Sequence, residues 1–119
     1  MDDVSIQDVQ DNLSTGASSY KNNHYIIPQL DILEDDSNVY YLYELPGIDT
    51  ENLNVELSEE EIFIMSTSKL DEQKTTLHQE RKKGEFFRKM KLPLNVNTDS
   101  IEANFRNGLL EISFPKFKE

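Results

Sequence analysis

The chain has no cysteine and no tryptophan, and only 2 histidines, 4 glycines and 4 prolines among 119 residues. Each scarcity excludes something. Without cysteine there is no disulfide framework, no thiolate nucleophile and no thiolate metal site. The two histidines, His24 in a polar stretch and His78 in a charged one, cannot assemble a Ser-His-Asp arrangement or a histidine metal cluster, and both read as solvated surface side chains. A phosphate loop of the G-x-x-x-x-G-K kind is absent, so nothing supports nucleotide-driven work. Basic residues are also few: 12 Lys and Arg stand against 23 Asp and Glu, a formal net charge of −11. That balance argues against a nucleic-acid partner, because phosphate-backbone binding needs clustered cations, and it keeps copies of a protein dispersed. No run approaches the ~20 apolar residues of a membrane span. The opening MDDVSIQDVQ has no basic region followed by an apolar run, so it is unlike a secretory signal. The expectations are a cytoplasmic chain with no cofactor, no metal, no catalysis, no nucleic acid and no membrane span.

What remains is patterned as strands. With 36% hydrophobic and 29% charged residues, there is material for one modest core. Residues 1–25 are polar, with Gly16, Ser18, Ser19, Asn22 and Asn23 clustered, and residues 1–27 read as a flexible arm in which Ile6, Val9 and Leu13 have near-helical spacing. After Pro28 short apolar runs alternate with turn signals. Val39, Tyr41, Tyr43 and Leu45 occupy alternate positions and stop at Pro46-Gly47. Leu53, Val55 and Leu57 alternate with Asn54 and Glu56; Ile62 and Ile64 follow, with Phe63 and Met65 on the other face, which predicts a strand buried on both sides. Phe86, Arg88, Met90 and Leu92 share a face, and Pro93 ends that strand. The acidic groups Glu34-Asp35-Asp36 and Glu59-Glu60-Glu61 fall where turns are expected and lack the D-x-D-x-D-G spacing of a calcium loop.

The end of the chain is the most explicit segment. In ANFRNGLLEISFPK, Asn107-Gly108 suits a two-residue type I′ turn, whose central residues both need positive φ. The register then follows, with Arg106 facing Leu109, Phe105 facing Leu110, Ala103 facing Ile112 and Ile101 facing Phe114 on one side. Asn104 opposite Glu111 and Glu102 opposite Ser113 make the other pairs. Five or six short, regularly spaced strands without a helical pattern predict an all-β antiparallel sandwich.

The series ELPGI at Glu44–Ile48, ENLNVEL at Glu51–Leu57, IFI at Ile62–Ile64, GEFFRKMKLP at Gly84–Pro93 and the closing ANFRNGLLEISFPK resembles the α-crystallin domain of small heat-shock proteins. The likeness covers residues 28–117, after which only residues 118–119 remain as a vestigial tail. It implies an immunoglobulin-like sandwich, dimers made by strand exchange, and ATP-independent holding of unfolding client proteins, a stress-response chaperone activity. It also implies a client or partner groove between the strands carrying Leu53, Val55 and Leu57 and those carrying Ser100, Ile101 and Ala103, with a dimer contact at Arg88 and His78. The rival reading keeps the sandwich and makes it a CS-domain-like co-chaperone adaptor, or a structural coat or scaffold.

Two departures from the family pattern set further expectations. The family's G-E-R after the IFI strand is replaced by Ser66-Thr67-Ser68, and the loop that follows, which in the family supplies the exchanged strand, is short. An I-x-I motif after the PK is missing, which predicts a dimer or small oligomer and a groove either open or otherwise filled. The internal candidate for filling it is His24-Tyr25-Ile26-Ile27-Pro28, whose Tyr25 and Ile27 project on one side of an extended segment, unless that segment simply leads into the first strand.

Overall fold

The computed structural model describes residues 2–8 and 25–117. Among them are nine strands: β1 Asp2–Asp3, β2 Ile6–Asp8, β3 Leu30–Glu34, β4 Asn38–Glu44, β5 Asn54–Leu57, β6 Glu61–Thr67, β7 Glu85–Lys91, β8 Glu102–Arg106 and β9 Leu109–Pro115. They form two sheets, one in the order β1-β8-β9-β4-β3 and the other β2-β5-β6-β7. All pairings are antiparallel except β2 with β5, which is parallel. Two 3-10 turns, Thr50–Asn52 and Thr98–Ser100, are the only helical pieces among the described residues. Each is capped by the residue before it, the Asp49 and Asn97 side chains accepting from the backbone N–H of Glu51 and Asp99.

Alternation decides which side chains meet between the sheets. Tyr41 and Tyr43 from β4, Val55 and Leu57 from β5, Ile62 and Ile64 from β6, and Leu110, Ile112 and Phe114 from β9 are buried in one core cluster. In β6, Phe63 and Met65 are buried as well, so that strand is covered on both faces as its unbroken apolar run predicts. The β8–β9 hairpin has the anticipated register over Glu102–Arg106, and Asn107 and Gly108 adopt φ of 56° and 78°. Both central residues are left-handed, the requirement of a type I′ turn. The Tyr43 hydroxyl lies inside the sandwich with no hydrogen-bond partner among the described residues, and burial pushes its pKa up.

The hairpin joining β3 and β4 is held by one carboxylate. Asp35 accepts from the backbone N–H of Ser37 and of Asn38, both at 2.8 Å, and from the Tyr40 hydroxyl at 2.7 Å. The Tyr40 hydrogen bond, followed by those from Asn38 and Ser37, lowers the Asp35 pKa below its ordinary value of 3.8. A depressed folded-state pKa contributes stability that is present above the unfolded value and lost as pH falls through the folded one. Asp35→Asn is therefore expected to be less stable than the parent near neutral pH, and the gap to close as pH drops below 3.8. Urea midpoints measured from pH 7 to pH 2.5 check this; a gap that stays constant with pH would remove the carboxylate from the account.

Candidate functional site

The strands expected to form the groove are β5 and β8, which lie in different sheets, so the expected groove is the side of the sandwich between them. Asp49 initiates the turn that delivers Leu53 into β5, and Asn97 initiates the turn that delivers Ile101 into β8. Of the six residues expected to line the groove, Val55, Leu57 and Ala103 are buried in the core cluster, and Leu53 and Ile101 are half-buried against it. Ser100 is exposed at the end of the second 3-10 turn, outside β8. Leu53, Ile101 and Phe105 are thus the side chains placed at the boundary between core and groove.

That groove is occupied, and by a different segment from the anticipated one. β1 runs antiparallel to β8, pairing Asp2 with Phe105 and Asp3 with Asn104, and the Val4 N–H donates to the Ala103 carbonyl at 2.9 Å. Two residues later the chain has crossed to the other sheet, where Ile6, Gln7 and Asp8 pair with Val55, Glu56 and Leu57. Val4 and Ile6 are half-buried against the core, whereas Ser5 and Gln7 are exposed. This is period-2 alternation. Ile6 is in a strand, not a helix; Val9 and Leu13, its expected helical companions, lie outside the described residues. A cavity of about 290 Å³ beside the segment is lined by Val4, Ser5, Gln7, Leu53, Asn54 and Phe105, among others.

The segment expected in the groove is elsewhere. Tyr25–Pro28 runs along β7 and then enters β3: the Ile26 N–H donates to the Glu85 carbonyl at 2.8 Å, and the Phe87 N–H to the Ile26 carbonyl at 3.1 Å. The Tyr25 ring lies 5.9 Å from that of Phe87. His24 is outside the described residues. The physical reason is connectivity: only Gln29 separates the segment from β3, so it stays at the edge where β3 begins.

Arg88 and His78, expected at the dimer contact, have different surroundings. Arg88 is half-buried in β7, and its Nη1 donates to the Pro28 carbonyl at 2.9 Å, fastening the segment before β3 onto the opposite sheet. His78 is exposed in the loop between β6 and β7, its Nε2 2.6 Å from Glu80 Oε2. In the same loop Leu77 is 95% exposed. Edge strand β3 presents Ile32 and Leu33 at 52% and 51% exposure. The edges differ in cover. β1 and β2 are terminal strands joined to each other through Val4-Ser5, β7 is lined by Tyr25–Pro28, and β3 is the other terminal strand of its sheet, with no strand on its outer side among the described residues. Sequence reasoning missed Val4, Ile32 and Leu33 and gave Ile6 a helical spacing; for Val4 and Ile6 the available signal was the apolar-x-apolar triplet Val4-Ser5-Ile6.

Among the described residues no group of His, Asp and Glu is arranged to hold a metal ion, and no helix is long and apolar enough to cross a membrane. The surface chemistry is that of strands, edges and apolar side chains.

Comparison with known proteins gives this geometry a context. The family model described as "Hsp20/alpha crystallin family" matches residues 31–119. A probable 15 kDa heat shock protein of Leptospira interrogans is 34% identical over 94 residues, which cover 78% of this chain and 72% of that protein. Small heat shock protein C2 of Rickettsia felis is 37% identical, over 76% of this chain and 61% of that protein. Among solved structures, heat shock protein 16.0 from Schizosaccharomyces pombe superposes with a TM-score of 0.71 at 26% identity, covering 90% of this chain and 85% of that one.

Proposed function

Since the chain belongs to the Hsp20/alpha crystallin family, we propose that it is a chaperone that holds unfolding proteins without ATP and keeps them from aggregating. The observation that carries this is the combination of exposed apolar side chains with strong like charge. Ile27, Ile32, Leu33, Leu70 and Leu77 are exposed, Ile32 and Leu33 on the terminal strand β3 and Leu70 and Leu77 in the loop between β6 and β7, in a chain of net charge −11. A client that begins to unfold exposes apolar surface and unpaired strand edges. The exposed leucines and isoleucines cover the first, and the charge keeps the complex dispersed. The groove between β5 and β8, with Leu53, Ile101 and Phe105 at its rim, is a further apolar surface of the same kind.

The working unit in this reading is a dimer or small oligomer made by exchange of the β6–β7 loop onto the β3 edge of a second copy. In the loop the five cations Lys69, Lys74, Arg81, Lys82 and Lys83 outnumber the three acids Asp71, Glu72 and Glu80, which suits the acidic Asp31, Glu34, Asp35 and Asp36 around β3. Residues 28–117 carry the folding unit, and the place of action is the cytoplasm.

Heating an aggregation-prone protein with and without this chain, in nucleotide-free buffer, tests the reading. Light scattering is expected to fall toward baseline as the chain approaches equimolar amounts, and to fall for unrelated clients alike. Unchanged scattering together with tight binding to one folded partner would replace the holdase by an adaptor.

A further inference from the structure

Two hydroxyls inside the sandwich, Tyr43 Oη and Ser66 Oγ, are buried and have no hydrogen-bond partner among the described residues. Both belong to one corner of the core. Tyr43 pairs with Leu30, the first residue of β3, and the Glu44 N–H beside it donates to the Gln29 carbonyl at 2.9 Å. Ser66 shares the inward face of Ile62 and Ile64 by alternation, and it pairs with Phe86, which in turn bridges Ile26. Residues 25–30 therefore form a strap that leaves β7 and enters β3 next to both hydroxyls, with Ile26 and Leu30 packed against the core and Ile27 exposed. Its fastening is light: the Ile26 N–H and carbonyl bond to β7 at 2.8 and 3.1 Å, and Arg88 Nη1 donates to the Pro28 carbonyl at 2.9 Å. Tyr41, two residues before Tyr43 on the same face, supplies the contrast, because its hydroxyl donates to the Lys91 carbonyl at 2.8 Å.

We propose that the strap of residues 25–30 opens ahead of the rest of the domain, and that the partnerless hydroxyls of Tyr43 and Ser66 set how readily it does so. A buried hydroxyl without a partner is penalised for the water it has given up. When the strap lifts, Ile26 and Leu30 leave the core and water reaches both oxygens, so the open state is relieved of a penalty that the closed state carries in full. An element held by few backbone hydrogen bonds at a sheet edge already opens at lower free energy than a central strand. The two effects act at the same place. Opening uncovers Phe86 and Tyr43 and frees the outer edge of β7, which adds apolar surface and unpaired ladder groups to those of the closed domain. The device belongs to the domain itself and operates whether or not the chain holds clients.

Hydrogen exchange on the full chain, without any client, tests this. In the parent, the amides of Ile26, Glu44 and Phe87, which bond to or from the strap, are expected to exchange faster than those of Ile64 and Ile112 in the interior strands β6 and β9. Tyr43→Phe keeps the ring and removes the hydroxyl, and is expected to slow the strap amides by about 5- to 100-fold. Ser66→Ala is expected to slow them in the same direction, and it carries the test if circular dichroism shows that Tyr43→Phe has lost the sandwich. Tyr41→Phe is the control. It leaves the Lys91 carbonyl without its donor, and its strap amides are expected to exchange no more slowly than the parent's. Strap amides as slow as those of Ile64 and Ile112 in the parent would overturn separate opening. Unchanged or faster strap exchange in a folded Tyr43→Phe or Ser66→Ala protein removes that hydroxyl from the device, and in both proteins it overturns the proposal. Equal slowing by Tyr41→Phe overturns it as well, because the loss of any buried hydroxyl would then have the same effect.

Discussion

Replacing Phe114 by Ala is expected to lower the unfolding free energy by about 3–5 kcal/mol, the usual cost of removing a buried phenylalanine. Phe114 is fully buried in β9, faces Val39 across the ladder, and meets the Tyr41 ring edge-on at 4.7 Å between centroids. Its removal forfeits both the transfer of an aromatic ring from water and the contacts of the ring's neighbours, which cannot collapse because Leu110, Ile112 and Tyr43 are each themselves fixed by a strand. Leu109, at the other end of the same strand, is 43% exposed, and its replacement by Ala is expected to cost under about 1 kcal/mol. For a domain of ordinary stability, roughly 5–15 kcal/mol, the first change consumes much of the margin and the second almost none. Denaturant unfolding of the two variants beside the parent measures the contrast. Equal losses would mean that β9 does not alternate between core and solvent as described.

The contrast within β9 is also why this hairpin was legible in the sequence. Asn107-Gly108 fixes the turn, the turn fixes the register, and once the register is fixed each side chain's face follows from parity alone. β6 was legible for a complementary reason, since Ile62, Phe63, Ile64 and Met65 leave no polar face to expose. All of this information is local. Strands β1, β2 and β3 carried no comparable local signal. In β3 only Leu30 is half-buried and the remaining four residues are exposed, so burial never imposed alternation on its sequence. In β1 and β2 the pairing partners lie about a hundred and about fifty residues away. Nothing in three apolar-polar-apolar positions says which of two distant strands they will join. The i, i+3 spacing from Ile6 to Val9 fitted a helix as well as the i, i+2 spacing from Val4 fitted a strand.

The candidate site divides along the same line. Leu53, Val55, Leu57, Ile101 and Ala103 could be assigned to two strands from pattern and resemblance, but whether each faced core or groove depended on how two sheets meet. For Arg88 the resemblance implies a dimer contact and says nothing of a partner within its own chain. Its hydrogen bond to the Pro28 carbonyl spans sixty residues of chain, so no window of sequence contains both partners. The consequence reaches the dimer proposal. Since Tyr25–Pro28 lines β7 and Arg88 holds it there, the proposed dimer uses the β3 edge, reached by the loop holding Leu77 and His78.

Leu77→Asp should therefore dissociate the dimer. At 95% exposure Leu77 contributes almost nothing to its own domain, so its substitution leaves folding intact and acts on whatever the loop touches. Burying a leucine on association contributes about 1.5–3 kcal/mol, and in a two-fold symmetric dimer each substitution is present twice. The expected weakening is then roughly 100- to 10,000-fold in the dissociation constant, larger still because an aspartate would face the carboxylates of Asp31, Glu34, Asp35 and Asp36 near β3. Leu94, 86% exposed in the turn after β7, is a control of similar accessibility on another part of the surface, and Leu94→Asp is expected to leave association unchanged. Sedimentation of the three proteins at tens of micromolar reads the outcome directly. A parent chain that sediments as a monomer would remove the exchanged dimer altogether. A Leu77→Asp protein that remains dimeric would keep the dimer and take the loop out of it, leaving the exposed Ile32 and Leu33 of two β3 edges to pair with each other.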